Sequence, residues 1–156
     1  MCKYIFDLDN TLVFTNSLNN EAYNYALAQL GKDSLQTKSR ITRKVIFQKI
    51  QLTEIEQETL IESKQKYFIN HLDKIEINKE LFALINQTRK ENCVLWTSAE
   101  RVRVEAILKH FKISDKFCCI YYSDKKNVKD ELNGIIHSQK WEKNEVIVYD
   151  DLINRI

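Results

Sequence analysis

The chain has 156 residues, of which 44% are hydrophobic and 29% are charged, and its formal net charge is +2. This balance is typical of a folded globular protein and excludes an intrinsically disordered chain. The small net charge gives no reason to expect nucleic acid as an obligate partner. No stretch approaches the roughly 18 apolar residues of a membrane span, so we expect no membrane partner and a cytoplasmic protein.

Four short apolar runs predict strands that are buried on both faces. These runs cover residues 4–6, 93–96, 117–122 and 146–149. They are continuous rather than alternating, as in parallel sheets that helices cover on both sides. Helical patterns precede the second run, follow it and precede the fourth run. The alternation predicts an α/β fold with a Rossmann-like parallel sheet, whose functional site lies at the carboxyl ends of the strands.

The long segment between the first two strands is predicted to be helical throughout. One apolar helix face ends at Gly31, which favours the position just past a helix. Thr53 and Glu56 have the spacing of a capping box, and the helix they start is predicted to end at about Leu72. The apolar residues between 41 and 46 predict one more helix.

This helical segment is too large for a simple crossover between strands. We expect residues 16–78 to form a small helical cap over the site, and residues 1–15 and 79–156 to form the α/β core.

Two acids follow the first strand directly. Asp7 and Asp9 stand at its carboxyl end, and the polar residues Asn10 and Thr11 come next. Two carboxylates at this spacing can converge on one cation and one phosphate, which suits phosphoryl transfer through an aspartate. The alternative is an ordinary turn, because Asp, Asn and Thr all favour turns.

Polar residues also follow the second strand, at Thr97 and Ser98. Thr97 and Glu100 have capping-box spacing, so one interpretation is simply the start of a helix. A helix start also gathers backbone N–H groups that can bind an anion, and the two hydroxyl groups can add to that binding. The sequence leaves both interpretations open.

The loop after the third strand contains several lysines within residues 123–130. Lys129 stands at the start of the next helical pattern and could point back toward the sheet edge. Its ammonium group would then neutralise a phosphate beside the carboxylates. Lys126 is the competing candidate, and position alone barely separates the two.

Adjacent acids, Asp150 and Asp151, follow the fourth strand. They could form a turn, but in a parallel sheet they would end on the same side as Asp7 and Asp9. Converging carboxylates repel one another, and this repulsion raises the pKa of at least one of them. Mg²⁺ relieves the repulsion, because it prefers oxygen ligands and bridges carboxylates to phosphate.

Taken together, the four strand ends resemble the motifs of the haloacid dehalogenase superfamily of phosphohydrolases. The segments that carry the resemblance are FDLDNTLV, LWTS, NVKDEL and VIVYDD, in that order along the chain. The first segment is the most specific, and the third favours Lys129 over Lys126. The helical insert resembles the α-helical cap of that superfamily. Because the sequence ends at Ile156, the resemblance also implies that the last core strand, which usually follows the fourth motif, is missing.

The resemblance implies a role for each acid. Asp7 would be the nucleophile that forms an aspartyl-phosphate, and Asp9 would protonate the leaving oxygen and then activate water. Mg²⁺ would be held by Asp7, by the backbone carbonyl of Asp9 and by Asp150, with Asp151 in support. Dehalogenase members lack an acid at the position of Asp9, so its presence favours phosphate chemistry.

The resemblance also assigns phosphate binding to Thr97, to the backbone N–H of Ser98 and to Lys129. It implies a Mg²⁺-dependent phosphomonoesterase acting on a small phosphorylated metabolite. A phosphosugar mutase would carry the same motifs, and an inactive binding or regulatory module is the alternative outside enzymes. A phosphonate-cleaving member would need a lysine in the cap, which the lysines of that segment do not exclude. Neither the substrate nor the oligomeric state can be read from the sequence.

Overall fold

The computed structural model of the protein describes residues 1–151, which form an α/β fold. In chain order the elements are β1 (Lys3–Phe6), β2 (Val13–Phe14), α1 (Asn16–Gln29), α2 (Arg43–Lys49), α3 (Glu54–Asn70), β3 (Glu76–Ile77), α4 (Lys79–Gln87), β4 (Cys93–Thr97), α5 (Arg101–His110), β5 (Cys119–Tyr122), α6 (Val128–Ser138) and β6 (Val146–Tyr149). Short 3-10 turns connect several of them. The alternation of strands and helices confirms the predicted fold class.

The larger sheet has four parallel strands in the order β5-β4-β1-β6. β1 is central, and Phe6 at its end lies beside Leu95 of β4 and Tyr149 of β6. All four strands therefore end at the same edge of the sheet. This register brings together segments that are far apart in the sequence.

Burial explains the continuous apolar run of β4, whereas the outer strands β5 and β6 are only partly buried, contrary to the expectation that both faces of every strand are covered. Ile5, Val94 and Trp96 are buried in one cluster with Ile135 of α6, and further apolar residues of α6 and β6 pack around them. Every residue of β4 is buried. A strand that is covered on both faces has no position for an alternating polar residue.

The third strand begins later than the sequence predicts. Residues 117–118 were expected to belong to it, but β5 starts at Cys119. Phe117 follows a 3-10 turn, and its buried ring packs edge-on against Phe6 with 6.4 Å between the ring centroids. The apolar character of Phe117 therefore reflects core packing rather than strand pairing.

The described chain divides into two compact units. The α/β unit contains residues 1–13 and the chain from Ile77 onward, and the helical unit contains Phe14–Glu76. The chain passes between them at β2 and β3, which pair with each other. Strands of two residues are too short for a sequence pattern to predict. The role of the helical unit as a cap stays a prediction.

The helical unit is built on α1 and α3, which pack against each other. Its buried cluster consists of Tyr23, Ala26, Leu27, Ile41, Ile46 and Leu60. Gly31 lies just past α1 with φ +69°, in the left-handed region that glycine adopts most readily. The capping box of Thr53 and Glu56 is present, and α3 ends at Asn70, slightly earlier than predicted.

Within residues 1–151, no helix combines the length and the apolar character that crossing a membrane requires.

Candidate active site

Asp7 leaves β1 at the edge where the four parallel strands end. Its backbone N–H donates to the carbonyl oxygen of Tyr149 at 2.8 Å, which extends the pairing of β1 and β6 by one residue. The next residue after Tyr149 is Asp150. The sheet register thus brings two acids from opposite ends of the chain to adjacent positions, rather than leaving each in a separate turn.

A buried lysine lies between these two acids. The Nζ atom of Lys125 donates to Oδ1 of Asp7 at 2.9 Å and to Oδ2 of Asp150 at 2.7 Å. The side chains of Asp7, Lys125 and Asp150 are 10%, 7% and 1% exposed. Burial at this level makes the electrostatic interactions much stronger than on the protein surface.

The loop between β5 and α6 directs Lys125 into the site. Lys125 has φ +56°, and its N–H donates to Oγ of Ser123 at 3.0 Å. The N–H of Ser123 donates to the carbonyl of Thr97 at 2.9 Å, which fixes the loop to the end of β4. The ammonium also lies 4.1 Å from the ring centroid of the buried Trp96, a cation–π distance.

The structure does not bring Lys129 or Lys126 to the acids. Lys129 is exposed in the first turn of α6 and lines a groove with apolar residues of α6 and β6. The side chain of Lys126 is 86% exposed, and its Nζ lies 3.5 Å from Asp124. Lys125, which no sequence motif indicates, has the position expected for Lys129.

Burial raises the pKa of Asp7 to about 6, and the negative charge of Asp150 adds to the rise. The positive charge of Lys125 and its hydrogen bond act in the opposite direction without cancelling it. Carboxylate oxygens of Asp7, Asp150 and Asp151 all lie within 4.8 Å of one another. Three oxygen donors with incompletely compensated charge fit a hard divalent cation such as Mg²⁺.

Asp9 has a different partner from Asp7. Both of its carboxylate oxygens accept hydrogen bonds from Arg103 of α5, at 2.8 and 2.7 Å. The two side chains are 18% and 14% exposed. Arg103 stands in a helical pattern, and no local sequence signal indicates that it belongs to a site.

The segment after β1 makes a tight turn that also contributes to the site. Asn10 has φ +62°, a conformation that asparagine tolerates better than most residues. The hydroxyl oxygen of Thr11 accepts a hydrogen bond from the backbone N–H of Asp151 at 3.2 Å. The turn therefore connects the end of β1 to the end of β6.

Thr97 and Ser98 lie between β4 and α5. Thr97 is buried, and its hydroxyl oxygen accepts from the N–H of Ala99 at 3.1 Å, while Ser98 is exposed. The capping box considered for Thr97 and Glu100 is wrong, because Thr97 still belongs to β4 and α5 begins only at Arg101. The Thr97 hydroxyl can still donate a hydrogen bond to an anion.

The sequence profile of the family described as haloacid dehalogenase-like hydrolase matches residues 4–156. The chain belongs to this family. No curated protein sequence matches the chain significantly. The solved structures described below resemble this hydrolase at 16–19% identity, so they show its fold alone.

One such structure is a predicted phosphatase from Clostridium acetobutylicum, with 16% identity and a TM-score of 0.62. The match covers 95% of this chain and 76% of the phosphatase chain. CbbY from Rhodobacter sphaeroides in complex with phosphate has 19% identity and a TM-score of 0.71. The match covers 95% of this chain and 77% of the CbbY chain. A CbbY variant in complex with xylulose 1,5-bisphosphate has 18% identity and a TM-score of 0.70, with the same coverage.

Proposed function

We propose that this hydrolase is a Mg²⁺-dependent phosphomonoesterase that acts on a small phosphorylated metabolite through an aspartyl-phosphate on Asp7. The observation that carries the proposal is the buried group of Asp7, Lys125 and Asp150, with Asp151 close enough to share a cation. A nucleophilic carboxylate beside a fixed ammonium group and a cation site is suited to an incoming phosphoryl group. The phosphate and the sugar bisphosphate bound to the CbbY structures support this class of substrate.

In the first step, an oxygen of Asp7 would attack phosphorus and form the aspartyl-phosphate. The bond from phosphorus to the ester oxygen would break, and the leaving alkoxide would take a proton from Asp9. Lys125 would neutralise a phosphoryl oxygen, and the Thr97 hydroxyl and the backbone N–H of Ser98 would donate to the others.

In the second step, Asp9 would take a proton from a water molecule as that water attacks phosphorus. The bond between phosphorus and Asp7 would break, which releases inorganic phosphate and restores the Asp7 carboxylate. Asp7, Asp150, Asp151 and the backbone carbonyl of Asp9 would hold Mg²⁺. When bound, the metal neutralises charge on the phosphoryl group and on the acids around it.

We assign a protective role to the helical unit. A lid over the site would exclude water from the reacting phosphoryl group and would exclude polymeric substrates. Its size and its position in the sequence, directly after the Asp7 segment, support this assignment. The proposed substrate is therefore a small molecule rather than a phosphoprotein.

The direct test is phosphate release from p-nitrophenyl phosphate and from a panel of sugar phosphates, with Mg²⁺ and with EDTA. We expect turnover that requires Mg²⁺ and falls by at least roughly a thousandfold in Asp7→Asn, because the nucleophile is lost. Asp130→Asn, which removes an exposed acid from α6, serves as the matched control and should keep wild-type turnover.

Two outcomes would overturn the proposal. The first is no phosphate release from any substrate by correctly folded protein with Mg²⁺, which would favour a binding module. The second is isomerisation of a sugar phosphate without release of phosphate, which would identify a mutase instead.

A further inference from the structure

The ammonium group of Lys125 lies against the face of a tryptophan as well as between two acids. Its Nζ atom is 4.1 Å from the ring centroid of the buried Trp96. The carboxylates of Asp7 and Asp150 bind the same ammonium group and compensate its charge. An aromatic ring attracts a cation without carrying a net charge. The ring can therefore hold the ammonium group and leave its positive charge available to an anion.

A carboxylate of α6 fixes the orientation of this ring. The Nε1–H of Trp96 donates to Oε1 of Glu131 at 3.2 Å. Glu131 is half-buried in the first turn of α6. The torsion that turns an indole ring about its bond to Cβ has a broad energy well, and Nε1–H is the only polar group of the ring. A hydrogen bond at that group therefore determines which way the ring face points.

The same carboxylate also contacts the loop that carries Lys125. Its second oxygen, Oε2 of Glu131, accepts a hydrogen bond from the backbone N–H of Asn127 at 3.4 Å. Asn127 follows Lys125 by two residues, and Lys125 has φ +56°, a region that lysine seldom adopts. A backbone in such a region is maintained by the contacts around it. Glu131 thus connects the ring beneath the ammonium group with the loop that places it.

We propose that Glu131 is a positioning residue for Lys125 and acts through the indole of Trp96. Its carboxylate holds the ring face against the ammonium group. The ring in turn holds the ammonium group where an oxygen of the incoming phosphoryl group would meet it. The inference rests on the proposed function, which assigns Lys125 to the phosphoryl group. The role requires no contact between Glu131 and the substrate.

The kinetic test compares Glu131→Leu with Glu131→Gln, using p-nitrophenyl phosphate and Mg²⁺. Leucine removes the acceptor of the indole N–H, whereas the side-chain oxygen of glutamine can still accept this hydrogen bond. We expect kcat/KM to fall about tenfold or more in Glu131→Leu, and to stay within about threefold of the wild type in Glu131→Gln. Equal values in the two variants, whether lowered or unchanged, would overturn the proposal.

Asp130→Leu is the matched control, because an acid in the first turn of a helix also stabilises that helix by its charge alone. Asp130 is exposed in the same turn of α6 as Glu131, so its loss removes the same charge from the start of the helix. We expect this variant to keep the kcat/KM of the wild type. A loss equal to that of Glu131→Leu would assign the effect to the helix and overturn the proposal.

A double-variant cycle tests whether Glu131 acts through Trp96. Trp96→Phe keeps an aromatic face but has no N–H group to donate. In this background Glu131→Leu should change kcat/KM by less than about twofold, because the hydrogen bond that it removes is already lost. An undiminished effect of Glu131→Leu would mean that Glu131 acts by another route, and would overturn the proposal.

Crystal structures of the two Glu131 variants without substrate give a readout that does not depend on turnover. In Glu131→Leu we expect Nζ of Lys125 to lie more than about 6 Å from the ring centroid of Trp96, beyond the range of a cation–π interaction. In Glu131→Gln the distance should stay near 4.1 Å. The same short distance in Glu131→Leu would overturn the positioning role. Absence of turnover in the wild type would instead overturn the proposed function.

Discussion

At the scale of single residues, Lys125 is the group that organises the charges of the site. Its ammonium lies between Asp7 and Asp150, and all three side chains are almost completely buried. Two carboxylates this close to each other repel strongly in a medium of low dielectric constant. Lys125 offsets that repulsion and, in the proposed reaction, would also meet the phosphoryl group.

Replacement of Lys125 tests this assignment against the one that the sequence favoured. We expect Lys125→Met to lower kcat/KM by roughly a hundredfold to a thousandfold, the usual effect of losing a charged group at the reacting centre. Lys129→Met should change kcat/KM less than threefold, because Lys129 is exposed on α6. Steady-state phosphatase assays on both variants measure this. The reverse result would return the role to Lys129.

The positions of the acids follow from the sequence more directly than the position of the lysine. Asp7 and Asp150 directly follow β1 and β6, so the parallel sheet brings them to one edge, and Asp9 and Asp151 follow shortly after them. Lys125 depends on a left-handed backbone conformation at a lysine, which lysine does not favour. The sequence signal that could have indicated this turn is Ser123, two residues before Lys125. Its hydroxyl oxygen accepts a hydrogen bond from the N–H of Lys125, as serine often does in turns.

At the scale of helices and strands, the two glycines of the chain have opposite roles. Gly31 follows α1 with φ +69°, while Gly134 lies within α6 without a positive φ. A methyl group built at either position has no neighbouring atom within 4 Å. Any effect of alanine at these positions therefore comes from the backbone rather than from packing.

We expect Gly31→Ala to lower the free energy of unfolding by about 1 kcal/mol, because alanine resists the left-handed conformation. Gly134→Ala should raise it by about 0.5–1 kcal/mol, because alanine favours the helix interior over glycine. Urea unfolding of both variants measures the two changes. Changes in the same direction would contradict the backbone conformations described for these residues.

Helix and strand predictions succeeded where burial or capping dictates the pattern. The capping box at Thr53 and Glu56 predicted the start of α3 because its residue types are specific. The same spacing at Thr97 and Glu100 predicted a capping box that is not present. Thr97 is the last residue of β4, and its hydroxyl oxygen accepts a hydrogen bond from the N–H of Ala99. A local pattern does not show whether its first residue will instead pair with a neighbouring strand of the sheet.

At the scale of the whole molecule, the sheet assembles the site from distant parts of the sequence. The ammonium of Lys125 contacts Asp7 across 118 positions of the chain. Four parallel strands that end at one edge make this possible, with β1 in the centre. The helical unit interrupts the chain soon after the first acids and adds its own buried cluster. Membership of the hydrolase family follows from the profile match, and the sheet order is consistent with it.

The most direct test of the proposed chemistry is the identity of the residue that carries phosphate during turnover. Protein mixed with Mg²⁺ and a readily hydrolysed phosphoester would be quenched in acid within milliseconds and mapped by peptide mass spectrometry. We predict phosphate on Asp7, and none on the corresponding peptide of Asp7→Asn. Turnover without a phosphorylated Asp7, or with phosphate on another residue, would contradict the account.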